Sequence, residues 1–214
     1  MVVALLFRLI TFTLLYSGLA AALPTTRTLH RFFRRETTAA SIIGAIMHSS
    51  SSCNDALYPD QCYTNVQAAP FLVAAMQTYH IYDAAEIAAV LALTAYESGD
   101  LQYRHSEFPV VAGKGTSNMQ SPAYNQMYAS SIPTLAPAVA AAQGDPDTVL
   151  ALLTVDQYNF ASGAWFLTSQ CANIRQQLRA NTDAGFSAYM NCVGTTTNAD
   201  RLDYWHRAQA AFGL

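Results

Sequence analysis

One segment constrains the fold more than any other, because residues 87–96 carry no charge within a helical pattern that runs from Asp83 to Ser98. Asp83 and Glu86 have the spacing of a capping box, so we expect Asp83 to begin this helix. A helix that is apolar on every side has no face that favours water and is buried. The other elements are therefore expected to pack around it.

The rest of the chain also has helical periodicity almost everywhere. Residues 99–120, rich in Gly and Ser, are too long for an ordinary connection and are expected to be functional or partly stranded. Residues 136–142, rich in Ala and Pro, are interpreted as a connector. Helices are predicted over residues 38–47, 66–80, 121–130, 145–155, 156–171, 181–191 and 197–212. The predicted fold class is all-α or mainly α, in one domain.

The N-terminal segment predicts export. The apolar run from Leu9 follows Arg8, contains no acid and ends in Ala20-Ala21-Ala22, which is typical of a signal peptide over residues 1–22. A membrane anchor is the alternative, but the run is too short to span a bilayer well. Residues 23–35 end in Arg34-Arg35, a dibasic site for a kexin-like protease of a eukaryotic secretory pathway, so we interpret them as a pro-segment. The expected mature protein is a secreted, extracellular domain over residues 36–214.

Charge limits the partners of that mature domain. It keeps all 14 acidic residues but only six of the 11 basic ones, which gives a net charge of about −8. Nucleic acids and anionic lipid surfaces attract clusters of Lys and Arg. We therefore expect no nucleic acid partner and no membrane contact after signal removal. We also expect a monomer.

The four cysteines suit an oxidising compartment. Cys53 and Cys62 flank a polar loop, and Cys171 and Cys192 bracket a helical pair, so nearest-neighbour pairing is predicted among the three possible connectivities. Zinc binding is the alternative, but no Cys-x-x-Cys or His-x-x-x-His spacing occurs. No metal ion and no cofactor are expected.

Glu97 stands in an unusual place for an acid, at the end of the charge-free helix. The helix dipole and the apolar helix body both disfavour a negative charge there, which favours the protonated carboxyl. A protonated carboxyl can donate its proton to the leaving oxygen of a glycosidic bond. The alternative is a solvent-facing glutamate in a fraying last turn.

Three motifs follow one another in the chain. The helix ends Thr94-Ala95-Tyr96-Glu97-Ser98-Gly99, a turn reads Gly115-Thr116-Ser117-Asn118-Met119-Gln120, and Tyr158-Asn159 comes later. In order and spacing they resemble the motifs of the lysozyme-like lytic transglycosylases, over roughly residues 84–166. The resemblance implies a lysozyme-like fold in which the central buried helix ends in the catalytic glutamate. It also implies cleavage of β-1,4-linked amino-sugar polymers.

The same resemblance assigns roles to individual residues. It implies that Glu97 is the catalytic acid, that Ser98 supports it and that Tyr158 forms a hydrogen bond near it. The implied substrate-binding positions are Ser98, Met119, Gln120, Tyr158 and Asn159. The chain departs from the family where Ser117-Asn118 replaces Gly-Leu and where Phe160-Ala161 replaces Ala-Gly.

A second carboxylate would decide the mechanism. Asp100 and Glu107 are the nearby acids that could serve as base or nucleophile, since no acid lies between Phe108 and Gly144. Asp100 could equally cap the turn, and Glu107 could be a solvated loop charge. If neither serves, Glu97 acts first as acid and then as base, as in the lytic transglycosylases.

The sequence thus predicts a secreted glycosidase or lytic transglycosylase whose partner is a polysaccharide substrate: peptidoglycan, chitin or chitosan. The alternative is a non-catalytic secreted carbohydrate-binding or host-interaction protein on the same fold.

Overall fold

The computed structural model describes residues 38–214, so the predicted signal peptide and pro-segment lie outside the described residues. The helices are α1 (38–46), α2 (Asn65–Thr78), α3 (Ala84–Ser98), α4 (Pro122–Ser130), α5 (Ala136–Ala141), α6 (Pro146–Leu153), α7 (Asp156–Asn159), α8 (Ser162–Ser169), α9 (Arg175–Arg179), α10 (Asp183–Cys192) and α11 (Ala199–Phe212). The strands are β1 (His105–Glu107) and β2 (Val110–Gly115), and 3-10 turns cover His48–Ser51, Pro133–Leu135 and Ala172–Ile174. The prediction of a mainly α fold is confirmed.

Helix α3 lies at the centre, as its charge-free sequence predicts. Asp83 caps it, accepting hydrogen bonds from the backbone N–H groups of Ala85 at 3.0 Å and Glu86 at 3.2 Å. Gly99, in the left-handed conformation at φ 56°, ends it. Helix α3 packs mainly against α11, with α8 and α9 on its other sides.

Only one half of the predicted capping box is formed. Asp83 accepts from the backbone of Glu86, but the Glu86 side chain does not accept from the backbone N–H of Asp83. Glu86 is fully buried, and its carboxylate accepts from the Nε and Nη2 atoms of Arg175 at 2.7 and 2.9 Å. Arg179 Nε lies 3.1 Å from the same carboxylate. This ion-pair cluster joins α9 to the first turn of α3.

The segment after α3 is partly stranded, as expected. Strands β1 and β2 pair antiparallel, with His105 opposite Gly115 and Glu107 opposite Val110. Gly113 in β2 has φ +69°, and a Cβ built there would lie 2.4 Å from Cβ of Pro146. The hairpin thus contacts α6 where only glycine fits.

Three predicted segments differ from the structure. The predicted connector 136–142 is largely helix α5, since alanine favours helix and Pro137 lies in the first turn, where proline is tolerated. The predicted helix 156–171 is two helices, because the Asn159 carbonyl accepts from the Oγ atoms of Ser117 and Ser162 at the break. Helix α6 also ends at Leu153, two residues before the predicted end.

Both predicted disulfides are present, Cys53–Cys62 and Cys171–Cys192. Trp165 and Trp205 belong to the core, at 5% and 0% exposure. Within residues 38–214, none of the helices has the length and apolar character needed to cross a membrane.

Candidate functional site

A groove of about 290 Å³ opens at the C-terminal end of α3, and we call it the Glu97 groove. Its walls come from α3, β2, the turn after β2, α4, α8, the segment between α10 and α11, and α11 itself. The lining residues are Leu93, Glu97, Lys114, Asn118, Met119, Gln120, Ser121, Tyr124, Phe166, Val193, Thr195 and Arg201. Met119 and Gln120 thus line one groove with Glu97, as the resemblance implies.

Glu97 is paired with a cation. Arg201 Nη2 donates to Glu97 Oε1 at 2.7 Å, and the two side chains are 9% and 22% exposed respectively. The Arg201 guanidinium also lies 3.9 Å from the ring centroid of Tyr96. Sequence reasoning considered the helix dipole and the apolar helix body around Glu97, and it missed this positive charge, which α11 supplies from 104 residues away in sequence.

The turn between β2 and α4 carries two buried amides, and both residues belong to the lining of this groove. Gln120 is 4% exposed, and neither its Oε1 nor its Nε2 has a hydrogen-bond partner among the described residues. Asn118 is 7% exposed, and its Oδ1 is likewise without a partner. Buried amide atoms are costly when unpaired, so the few that occur in native proteins ask for an explanation.

Asn159 fixes the turn that carries these amides. Asn159 Oδ1 accepts from the backbone N–H of Ser117 at 2.9 Å, and the Asn159 carbonyl accepts from Ser117 Oγ at 2.8 Å. Asn159 is 1% exposed. It therefore holds the turn rather than lining the groove.

Two further residues implied by the resemblance lie away from the Glu97 carboxylate. The Tyr158 hydroxyl is 3.3 Å from Thr134 Oγ1, so the expected hydrogen bond near Glu97 is not formed. Ser98 Oγ donates to the Thr94 carbonyl at 2.7 Å and accepts from the Leu101 N–H at 2.9 Å. Ser98 thus stabilises the turn after α3 instead of supporting the acid directly.

The two candidate second carboxylates also lie outside the groove lining. Asp100 is 5% exposed, and its Oδ2 accepts from the backbone N–H of Ser49 at 2.9 Å. Glu107 accepts from the side-chain amide of Gln61. Glu97 is the one carboxylate among the residues lining the groove. The geometry does not assemble a pair of carboxylates there.

A tyrosine beneath the groove responds to the charge of Glu97. Burial, and secondarily the negative charge of Glu97, raises the pKa of Tyr189. The Tyr189 hydroxyl has no hydrogen-bond partner among the described residues. It therefore stays protonated and neutral across the physiological pH range.

Lys114 lies on the β2 side of the groove, and sequence reasoning missed it. It is the single lysine of the chain, which is a signal the sequence does offer. Within the described part of the chain, no carboxylate lies within 4.0 Å of its ammonium. Arg201 was also missed, and no local pattern points to its contact with Glu97.

A second cleft, of about 530 Å³ and more open, lies beside α7 and is lined in part by Phe71, Arg104 and Asp156. Arg104 Nη1 is already bound to the Thr154 carbonyl at 3.1 Å. The carboxylate of Asp156 accepts from the Tyr63 hydroxyl. These internal contacts make the Glu97 groove, with its unpaired buried amides, the stronger candidate for a ligand.

Comparisons with known proteins point away from glycan chemistry. No family model and no solved structure matches the chain. A curated protein of Fusarium oxysporum, named as a bifunctional dioxygenase (DOX)-epoxy alcohol synthase (EAS), is 46% identical over 171 residues. The match covers 76% of this chain and 13% of that relative, so the chain spans only a small part of the relative's length.

This relative corrects the functional prediction. A dioxygenase and epoxy alcohol synthase is not a polysaccharide-cleaving enzyme, so the prediction of a glycosidase or lytic transglycosylase, with Glu97 as its acid, is wrong. The more general prediction, that the protein is an enzyme, is supported because the relative is named as an enzyme.

Proposed function

We propose that the Glu97 groove binds a small oxygenated molecule of the epoxy alcohol class, and that the chain contributes this binding alongside oxygenation chemistry like that in the relative's name. The observation that carries the proposal is Gln120, a buried amide that lines the groove with both polar atoms unpaired.

The chemistry of an epoxy alcohol matches this amide. Its hydroxyl donates one hydrogen bond and accepts others, so it can serve Gln120 Oε1 and Nε2 together. The carbon frame would meet apolar side chains of the groove, such as Leu93, Phe166 and Val193. The groove volume of about 290 Å³ lies at the lower end of the range of small-molecule sites, about 300–1,000 Å³, which suits a small ligand.

The described residues do not fit a metal-dependent oxygenase centre. Enzymes that activate O₂ use haem, flavin, copper or non-haem iron. No group of three His, Cys, Asp or Glu side chains within residues 38–214 could hold a metal ion. None of His48, His80, His105 and His206 belongs to such a group. We therefore derive no oxygenation step for these residues and assign to the groove the binding of the oxygenated molecule.

We also propose a lysozyme-like arrangement and a secreted monomer. A central helix with Glu97 in its last turn, followed by a two-stranded hairpin and further helices, supports the arrangement without implying its glycan-cleaving activity. Two disulfides support an extracellular location, because disulfides persist in oxidising compartments.

Calorimetric titration with three six-carbon ligands tests the binding proposal. The ligands are an epoxy alcohol, the same epoxide without the hydroxyl group, and a saturated acyclic ether of the same length. The epoxy alcohol should bind most tightly. Gln120→Met should weaken that binding about tenfold, the equivalent of ~1.4 kcal/mol, because it removes both amide contacts while keeping the side-chain length.

Gln126→Met is the matched control. Gln126 lies six residues further along the chain in α4, where its amide donates to Ser130 Oγ, and it does not line the groove. It should bind like the wild type. Equal affinity of Gln120→Met and wild type, absence of epoxy alcohol binding, or exclusive binding of an amino-sugar tetramer would each overturn the proposal.

A further inference from the structure

We propose that the open cleft beside α7 is the docking site of the chain's own basic segment, residues 23–35, which lies outside the described residues. We call this surface the α7 cleft, and its lining residues are Phe71, Arg104, Thr154, Val155, Asp156 and Gln157. It is separate from the Glu97 groove, since the two linings share no residue. The docking does not depend on which ligand the Glu97 groove binds.

The α7 cleft offers apolar surface, and the principal cation of its lining is already bound. Phe71 is only partly buried, and Val155 is 53% exposed. The guanidinium of Arg104 donates to the backbone carbonyls of Thr154 and Asp60. Apolar side chains that enter this cleft gain free energy by leaving water, and they displace no hydrogen bond of Arg104.

The basic segment carries side chains that match the cleft. It contains four arginines, one histidine and no acid, and its Phe32-Phe33 pair directly precedes Arg34-Arg35. An aromatic side chain buries about 150–250 Å² of surface, so two adjacent rings supply most of the apolar contact that a short peptide can make. The segment thus combines an apolar anchor with adjacent positive charge.

The charge beside the α7 cleft complements that of the segment. Residues 38–214 carry 13 acids and six basic residues. Asp156 lines the cleft, and the exposed Asp60 lies beside it, because its carbonyl accepts from Arg104. Arg104 offsets one of these two negative charges, which leaves a local net charge of about −1. The rim of the cleft therefore attracts Arg34-Arg35.

The start of the described chain lies within reach of the α7 cleft. Asn65 Nδ2 donates to the carbonyl of Ala40 at 2.8 Å, so α1 begins beside the first turn of α2. Phe71 is in the same helix α2, about 9 Å further along its axis at 1.5 Å per residue. The chain from Phe33 to Ala40 spans at most ~25 Å. The aromatic pair can therefore reach the cleft from the domain's own N-terminus.

Covalent attachment keeps a weakly binding segment in place. A short linker holds an attached ligand at an effective concentration of about 1 mM, so a contact with a Kd of ~0.1 mM occupies the cleft most of the time. A cut after Arg35 removes this advantage. The segment then leaves by dilution, and the α7 cleft becomes open to other molecules.

Hydrogen exchange of the protein comprising residues 23–214 tests the docking. The reference is the same protein cut after Arg35, with the released peptide removed by gel filtration at high salt. The first backbone N–H groups of a helix have no partner within it, so those at the start of α7 exchange readily when uncovered. Exchange in residues 154–157 should be about tenfold slower in the uncut protein, and residues 114–121 of the Glu97 groove should exchange equally in both.

Variants of the segment leave the described domain unchanged. Phe32→Ser combined with Phe33→Ser should abolish the slower exchange of residues 154–157 in the uncut protein. Leu23→Ser combined with Leu29→Ser is the matched control, because it removes two apolar side chains from the same segment and keeps the aromatic pair. The control should retain the protection.

Val155→Lys tests the cleft itself, since it replaces exposed apolar surface by a charge that repels arginine. It should abolish the protection, whereas Val110→Lys should retain it, because Val110 is 76% exposed in β2 and does not line the cleft. High salt should weaken the protection by screening the rim charges. Equal exchange of residues 154–157 in cut and uncut protein, protection that survives Val155→Lys, or protection of residues 114–121 instead would each overturn the inference.

Discussion

The buried cluster around Glu86 permits a quantitative test of what fixes α9 against the central helix. Glu86→Gln keeps the shape of the side chain and removes its charge. The Glu86 side chain is 0% exposed, whereas those of Arg175 and Arg179 are 21% and 49% exposed. The variant therefore leaves two guanidinium groups that face a neutral amide.

The magnitude follows from these exposures. Removing one partner of a fully buried pair costs about 3–5 kcal/mol, because the remaining charge is left without compensation. Here the remaining charges are the two arginines, which regain part of their hydration. We therefore expect Glu86→Gln to lower the free energy of unfolding by about 2–3 kcal/mol, less than the full range. For a domain of this size, the melting temperature should fall by about 4–12 °C.

Urea unfolding followed by tryptophan fluorescence measures the loss. Asp203→Asn is the matched control, because it breaks an exposed i,i+4 pair with Arg207 at 2.9 Å and should cost no more than about 0.5 kcal/mol. Arg179→Met should lower the free energy of unfolding by an amount between those of the other two variants, since Arg175 still binds Glu86 through two hydrogen bonds. A loss at Glu86→Gln as small as that at Asp203→Asn would refute the reasoning.

Three other perturbations have defined outcomes. Gly113→Ala should cost several kcal/mol in urea unfolding, because its Cβ would lie 2.4 Å from Cβ of Pro146 at a positive φ, and wild-type stability would contradict the contact. Replacing both members of Cys171–Cys192 by alanine should cost about 3 kcal/mol for a loop of this length, and an unchanged melting temperature would contradict it. Burial, and secondarily the charge of Asp100, raises the pKa of Tyr204 to about 12, so the stability that its neutral hydroxyl contributes is present below pH ~10 and is lost between pH ~10 and ~12. Unfolding measured across that range should show a shallower loss in Tyr204→Phe, and an identical slope would contradict the assignment.

The candidate site was predictable only in part. Glu97, Met119 and Gln120 line one groove as the motifs imply, because Glu97 lies in the last turn of α3 and the other two lie in the turn that follows β2. Lys114 and Arg201 were not predicted, although they set the charge of the groove. The activity inferred from the motifs was wrong, since the relative is named as a dioxygenase and epoxy alcohol synthase, and short motifs alone do not fix a function.

The sequence by itself determined the local boundaries and the centre of the fold. The caps at Asp83 and Ser121 depend on backbone groups only two or three residues away, and the charge-free stretch of α3 requires burial whatever packs on it. Only the tertiary structure decided that Glu86 binds Arg175, 89 residues away, and that Glu97 binds Arg201, 104 residues away. These partners meet because separate helices pack against α3, and the side chains that face each other across such packing are fixed by the arrangement of whole elements rather than by any pattern within one of them.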